Sequence, residues 1–182
     1  MPDLSNARCA PVLVPSAGVK LLPAIARFSV RGGSQVMTAA GSVLGLALSA
    51  DACRSVRNGD RAALWLGPDE QLLVTPVAEG DDIGRRLAEA LTGLPGSVVD
   101  IGHRQIALEV RGPHAQAVLS VGCPLDLDPG TFPVGMCTRT VLGKAAVALW
   151  RTQADTFHVE VGRSFADYVS RFLAEAGCEF AC

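Results

Sequence analysis

Three short stretches of this sequence occur twice, in the same order. VRG at residues 30–32 returns at 110–112, LW at 64–65 returns at 149–150, and RLAEA at 86–90 returns as FLAEA at 172–176. The separations are 80, 85 and 86 residues, as small insertions between two copies of one unit would produce. A duplicated chain of this length is confined to two similar halves that share a core, because each copy needs another face against which to bury its own. The expected fold class is therefore α+β, with two duplicated β-α-β-β-α halves. An extended N-terminal arm takes residues 1–23, the first half 24–95 and the second 96–182, packed as one compact unit.

Local patterns fill in the halves. RFSVRGG (27–33) reads as a half-buried strand and residues 35–48 as a helix. RAALWLG (61–67) and QLLVTP (71–76) form a hairpin around Pro68 and Asp69. Asp81 and Asp82 then open a helix that carries Ile83, Leu87, Ala90 and Leu91 on one face and stops at Gly93. In the second half, SVVDIG and RQIALEVRG read as strands around His103, and GPHAQAVLSVG starts a helix with Pro113 at its first position. KAAVALW (144–150) is a buried run. TFHVEV (156–161) alternates, so Phe157, Val159 and Val161 are expected to face in and His158 and Glu160 out. The last helix has Phe165, Tyr168, Val169, Phe172, Leu173 and Ala176 on one stripe, with Ser164 and Asp167 in a capping-box pattern and Gly177 as its stop.

Composition excludes some partner classes. The formal net charge is −2 with no basic run, which leaves no electrostatic footprint for a nucleic-acid backbone. The longest weakly polar stretch, residues 36–50, is too short to span a bilayer and is interrupted by Thr38, Gly41, Ser42 and Gly45. The N-terminus lacks the pattern of a signal peptide, so a cytoplasmic protein with no membrane partner is expected. Apolar residues make up 49% of the chain but aromatics only 5%, and part of this Ala, Val and Leu surface is expected to lie against a partner.

Few residues suggest chemistry. His103 lies close to Asp100 and Arg104, a pairing that could serve a general base if a turn at Gly102 brought them together; a polar hairpin residue is the plainer reading. His114 and His158 are expected at the surface. Of the six cysteines, Cys178 and Cys182 alone have helical i, i+4 spacing, too few ligands for a tetrahedral metal site. Cys123 and Cys137 flank GCPLDLDPGTFPVGMCTRT (122–140) and could form a redox pair, with Arg139 near the second thiol, or be inert. Neither GPDE nor GPHA has a phosphate-cradling pattern, and there is no GxSxG elbow. The expected site residues are therefore catalytic none, cofactor-binding none and metal none. In the 122–140 loop, Pro124, Pro129 and Pro133 stiffen the crossover while Leu125, Leu127 and Phe132 offer apolar anchors to the core or to a neighbouring subunit.

The segments LGPDEQLLVTP, DIGHRQIALEVRGP, GCPLDLDPGTFPVGMCTRTVLGKAAVALW and VGRSFADYVSRFLAEAG, taken together, resemble the gamma subunits of heterotetrameric sarcosine oxidases over about residues 18–177. The resemblance implies a fold similar to part of the folate-binding aminomethyltransferase group. It also implies a non-catalytic assembly subunit partnered by alpha, beta and delta subunits, in a complex that converts sarcosine to glycine with formation of hydrogen peroxide and 5,10-methylenetetrahydrofolate. FAD, FMN, NAD, tetrahydrofolate and zinc would all lie on the other subunits. Two further readings stay open at this stage: a folate-binding one-carbon module, or the small subunit of a related N-methyl amino acid dehydrogenase or oxidase. A stand-alone redox or metal protein using Cys123, Cys137, Cys178 and Cys182 is a third.

Overall fold

The structure, a computed structural model, describes residues 18–180. Most of the expected arm, with Cys9, and Cys182 at the other end lie outside the described residues. Each half has seven main elements rather than five. The first half runs β1 (Gly18–Leu21), β2 (Ile25–Gly32), α1 (Ser34–Leu44), β3 (Ser55–Asn58), β4 (Arg61–Gly67), β5 (Glu70–Pro76) and α2 (Gly80–Ala90). The second repeats the series as β6 (Gly96–Asp100), β7 (Gln105–Arg111), α3 (Ala115–Ser120), β8 (Cys137–Leu142), β9 (Ala145–Gln153), β10 (Thr156–Gly162) and α4 (Ala166–Gly177). The three strands that the pattern reading does not separate, β1, β3 and β8, are short or half-polar: GVKL, SVRN and CTRTVL.

The halves exchange their first strands. One sheet has the order β1-β7-β10-β9-β8 and the other β3-β4-β5-β2-β6, so β1 joins the second half's sheet and β6 the first half's. Residues 18–21, expected in the arm, are thus an edge strand with Val19 opposite Val110 and only 2% exposed. Val98 stands in the equivalent place opposite Val30. Neither half can be peeled away without opening both ladders.

Register tests the repeats one by one. Phe28 pairs with Leu73, and Leu108 with Val159, which makes VRG equivalent in both halves. Leu87 and Leu173, within RLAEA and FLAEA, are both fully buried, in α2 and α4 respectively. The LW pair is out of step. Ala63 pairs with Leu73 as Leu149 pairs with Val159, so Leu149 corresponds to Ala63 and Trp65 to Arg151. A slip of one residue turns a side chain to the opposite face of a sheet. Leu64 accordingly lies in the cluster between the sheets, and Leu149 in the cluster beneath the second helix pair.

The layers follow from these clusters. The first core joins α1 and α2 to β2, β4 and β5 through Phe28, Val36, Leu44, Ala63, Leu73 and Leu87. The second joins α3 and α4 to their sheet through Leu108, Leu119, Leu149, Phe157 and Leu173. A third, smaller cluster of Leu64, Leu72, Val74, Cys137 and Trp150 lies where the two sheets face each other. Both faces of each sheet are covered, which corrects the expectation for β10. Phe157, Val159 and Val161 face the helices, but Glu160 is 2% exposed and His158 half-buried, because their side meets the other sheet and not water.

Helix ends also differ from expectation. α1 stops at Leu44, where Gly45 takes φ 71° and donates its N–H to the carbonyls of Gly41 and Ser42. α3 starts at Ala115, after Pro113, with His114 as its cap residue. α4 starts at Ala166 after a 3₁₀ turn, Arg163–Phe165, with Phe165 as its cap residue. Among the described residues no helix is long and apolar enough to cross a membrane.

Candidate functional site

The charged groups that the fold draws inward sit between the sheets. Arg27, on β2, donates from Nε to Glu160 Oε2 on β10 at 2.7 Å, and their side chains are 2% and 1% exposed. Its Nη1 donates to the Ile25 carbonyl, and the other Glu160 oxygen lies 2.7 Å from His158 Nε2. His158 in turn stands against the Trp150 ring, 5.7 Å between centroids. Such a pair is sustained in a low-dielectric layer only while each charge keeps its partner. Both Glu160 oxygens are engaged, so the carboxylate acts as a cross-sheet tie.

A second tie closes the rim of the same layer. Glu70, at the start of β5, accepts from Arg139 of β8 at 2.8 Å, from Arg31 of β2 and from Ser29 Oγ. The Arg139 hydrogen bond, joined by Arg31, outweighs burial and holds the Glu70 carboxyl down to about 2. An acid whose pKa is lower folded than unfolded stabilises the fold above its ordinary pKa, here 4.5, and ceases to do so as pH falls toward 2. Glu70→Gln should therefore lower stability at pH 7 by about 1–3 kcal/mol and flatten the loss between pH 5 and 2. Urea titrations at pH 7 and pH 3 read this directly; equal pH profiles for both proteins would contradict it.

Beside this tie is a small cavity of about 170 Å³, lined by Glu70, Arg139, Gln105 and Glu160 among others. Gln105 Oε1 is buried there with no partner among the described residues, as is Trp150 Nε1 in the neighbouring cluster. A larger open cleft of about 650 Å³ lies in the first half, between α1, residues 46–50 and the β4–β5 turn. Ser34, Thr38, Ser42, Trp65 and Gln71 line it.

The residues singled out from sequence fall apart as a reaction centre. Asp100 Oδ1 accepts the Gly102 N–H at 2.7 Å, so it caps the turn while His103 is exposed in it. His114 is exposed and stacks on Phe180, with ring centroids 4.9 Å apart. His158 is the one histidine drawn inward, against the expectation of a surface position. Cys123 packs in the helix-side core near Thr140 Oγ1, whereas Cys137 lies on the other face of the sheet and donates to the Trp65 carbonyl. A sheet separates the two thiols, which removes the redox-pair reading, and burial pushes the Cys137 thiol up to about 12. Cys178 Sγ turns back to the Ala174 carbonyl. Among the described residues no three His, Cys, Asp or Glu side chains cluster as metal ligands.

The proline-rich loop proves to be interior. Leu127 and Phe132 are each 1% exposed in the second half's own core, while Leu125 is half-buried. Arg151, 2% exposed, donates from Nη1 to the carbonyls of Leu127 and Phe132 at 3.0 and 2.9 Å and lies over the Phe157 ring. Asp126 and Asp128 accept the N–H groups of Asp128 and Gly130, and Asp126 also accepts Thr131 Oγ. Of the two sites the sequence left open for these anchors, core and neighbouring subunit, the fold takes the core for Leu127 and Phe132.

The sequence reading missed Arg27, Glu70, Arg139, Arg151 and Glu160 as organising residues. Their signal was faint but present: an arginine or glutamate among apolar neighbours in strands of a duplicated unit, where a second sheet covers the apparent outer face.

Comparison with known proteins places these features. A family model described as "Sarcosine oxidase, gamma subunit family" matches residues 32–179. The sarcosine oxidase subunit gamma of Corynebacterium sp. (strain P-1) is 39% identical over 120 residues, 66% of this chain and 58% of that protein. The match thus spans little more than half the length of that curated relative. A chain of the heterotetrameric sarcosine oxidase from Corynebacterium sp. U-96, solved in complex with pyrrole 2-carboxylate, is 30% identical with a TM-score of 0.85, covering 91% of this chain and 86% of its own. The glycine cleavage system aminomethyltransferase T from Bartonella henselae shares the fold, with a TM-score of 0.64 at 16% identity over 87% of this chain and 45% of that one.

Proposed function

This chain belongs to the sarcosine oxidase gamma subunit family, and from that membership we propose that it is a non-catalytic structural subunit of a heterotetrameric sarcosine oxidase. The observation that carries the reading is the match along 91% of the chain to a chain of such an assembly. The interior chemistry supports it. Arg27, Glu160, Glu70 and Arg139 neutralise one another across the sheets, and groups spent in this way brace a scaffold rather than exchange protons with a substrate. Alpha, beta and delta subunits would be its partners, and the flavin, dinucleotide, folate and zinc sites would be theirs.

Purified alone, the full chain should carry no flavin absorbance and release no hydrogen peroxide from sarcosine. Turnover by the isolated chain would overturn the proposal.

A further inference from the structure

The internal repeat gives the 650 Å³ cleft a counterpart within the same molecule, and the counterpart is filled. In the second half, Arg151 and Phe157 face each other across β9 and β10, and the loop of residues 121–136 lies on them. Phe132 packs on Phe157 at 6.4 Å between ring centroids, and Arg151 holds the carbonyls of Leu127 and Phe132. In the first half the same strand positions are Trp65 and Gln71, paired across β4 and β5, and both line the cleft. The loop there is the shorter one, residues 45–54. Its residues 46–50 line one side of the cleft, where Gln71 Nε2 donates to the Ser49 carbonyl at 2.9 Å, and leave the space beside α1 open.

The open wall is α1, which presents the exposed Ser34, Thr38, Ser42 and Gly45, while Gly41 is buried against the chain's own Leu46 and Leu48. Small side chains let another backbone approach closely, and the Trp65 indole supplies an N–H donor at the position from which Arg151 grips its loop. We propose that this cleft receives an extended apolar segment of a partner subunit, which inserts a leucine- or phenylalanine-sized side chain as Phe132 does in the other half. The inference rests on the assembly role proposed above and adds to it the face and the chemistry of the contact. A segment of this chain's own residues 1–17 is the competing occupant.

The test uses the full chain with Ser42→Cys, alone and coexpressed with the other subunits of a sarcosine oxidase, with maleimide labelling read at that position by peptide mass spectrometry. Ser42 is exposed on α1 and donates only to the Thr38 carbonyl of its own helix, so the fold should tolerate the change. Labelling should be fast in the isolated chain and at least tenfold slower in the complex, and a cross-linker at the same position should capture an apolar partner segment. In parallel, Ser42→Arg should keep the thermal midpoint of the isolated chain and reduce recovery of the complex at least tenfold.

If the complex forms and labelling is unchanged, the cleft proposal is wrong and the assembly role stands. Capture of a charged segment would also overturn it. Protection already present in the isolated chain and lost on deleting residues 1–17 would assign the cleft to the chain's own N-terminus and overturn it. If the unsubstituted chain forms no complex, the assembly role fails first and the inference with it.

Discussion

Glu160→Ala is expected to cost about 3–5 kcal/mol, enough to leave much of the chain unfolded at moderate temperature. The substitution leaves the Arg27 guanidinium at 2% exposure with only the Ile25 carbonyl as an acceptor, and it also strips His158 of its partner. The cost comes from the charge left behind more than from the attraction removed. Arg27→Met with Glu160→Leu should accordingly recover most of the loss, since an apolar pair of similar volume asks nothing of the low-dielectric layer. Urea unfolding of Glu160→Ala, and of Arg27→Met and Glu160→Leu singly and together, measures the loss and makes the cycle. A single-variant loss below about 1 kcal/mol would mean that water reaches the pair and that the sheets are not sealed there.

Phe132→Ala should cost a similar amount, about 3–5 kcal/mol, in the isolated chain. The ring is 1% exposed between Phe157 and the second half's core, and the Arg151 bonds to the Leu127 and Phe132 carbonyls depend on the loop being seated. Leu125→Ala, at a half-buried position, should cost far less. A thermal melt without any partner distinguishes the two readings of this loop. If Phe132→Ala melts like the unsubstituted chain and fails only to assemble, the loop is an interface and not a core element.

Much of this fold was legible in the sequence because its strongest signals are periodic and occur twice. The stripe of Val169, Leu173 and Ala176, the alternation in β10 and the repeated VRG and LAEA stretches all mark elements that the structure contains. The LW match was misleading because identity of letters says nothing about strand register, and one residue of slip exchanges the helix side for the sheet side. The exchange of β1 and β6 could not be read, since strand partners are chosen by three-dimensional proximity and GVKL carries almost no pattern of its own.

The polar ties were hidden for a related reason. His158 and Glu160 alternate with valines, as solvent-facing residues do, and only the arrival of a second sheet turns their face into an interior. Arg139 drew attention as a neighbour of Cys137, yet the two serve separate ends: the arginine clasps Glu70 while the thiol fills the cluster between the sheets. The loop of residues 122–140 was legible as a crossover with apolar anchors. Where those anchors go was settled by Arg151, whose side chain gathers the loop's carbonyls from beneath.

The central claim is that this chain supports a sarcosine-oxidising assembly without performing its chemistry. Its most direct test is expression of the other subunits of the complex with and without this chain, followed by sizing of the product and assay of hydrogen peroxide release from sarcosine. With the chain present, a single complex that contains it and turns over sarcosine is expected. With the chain withheld, incomplete and unstable assemblies are expected. A fully assembled and equally active complex formed in its absence would contradict the account.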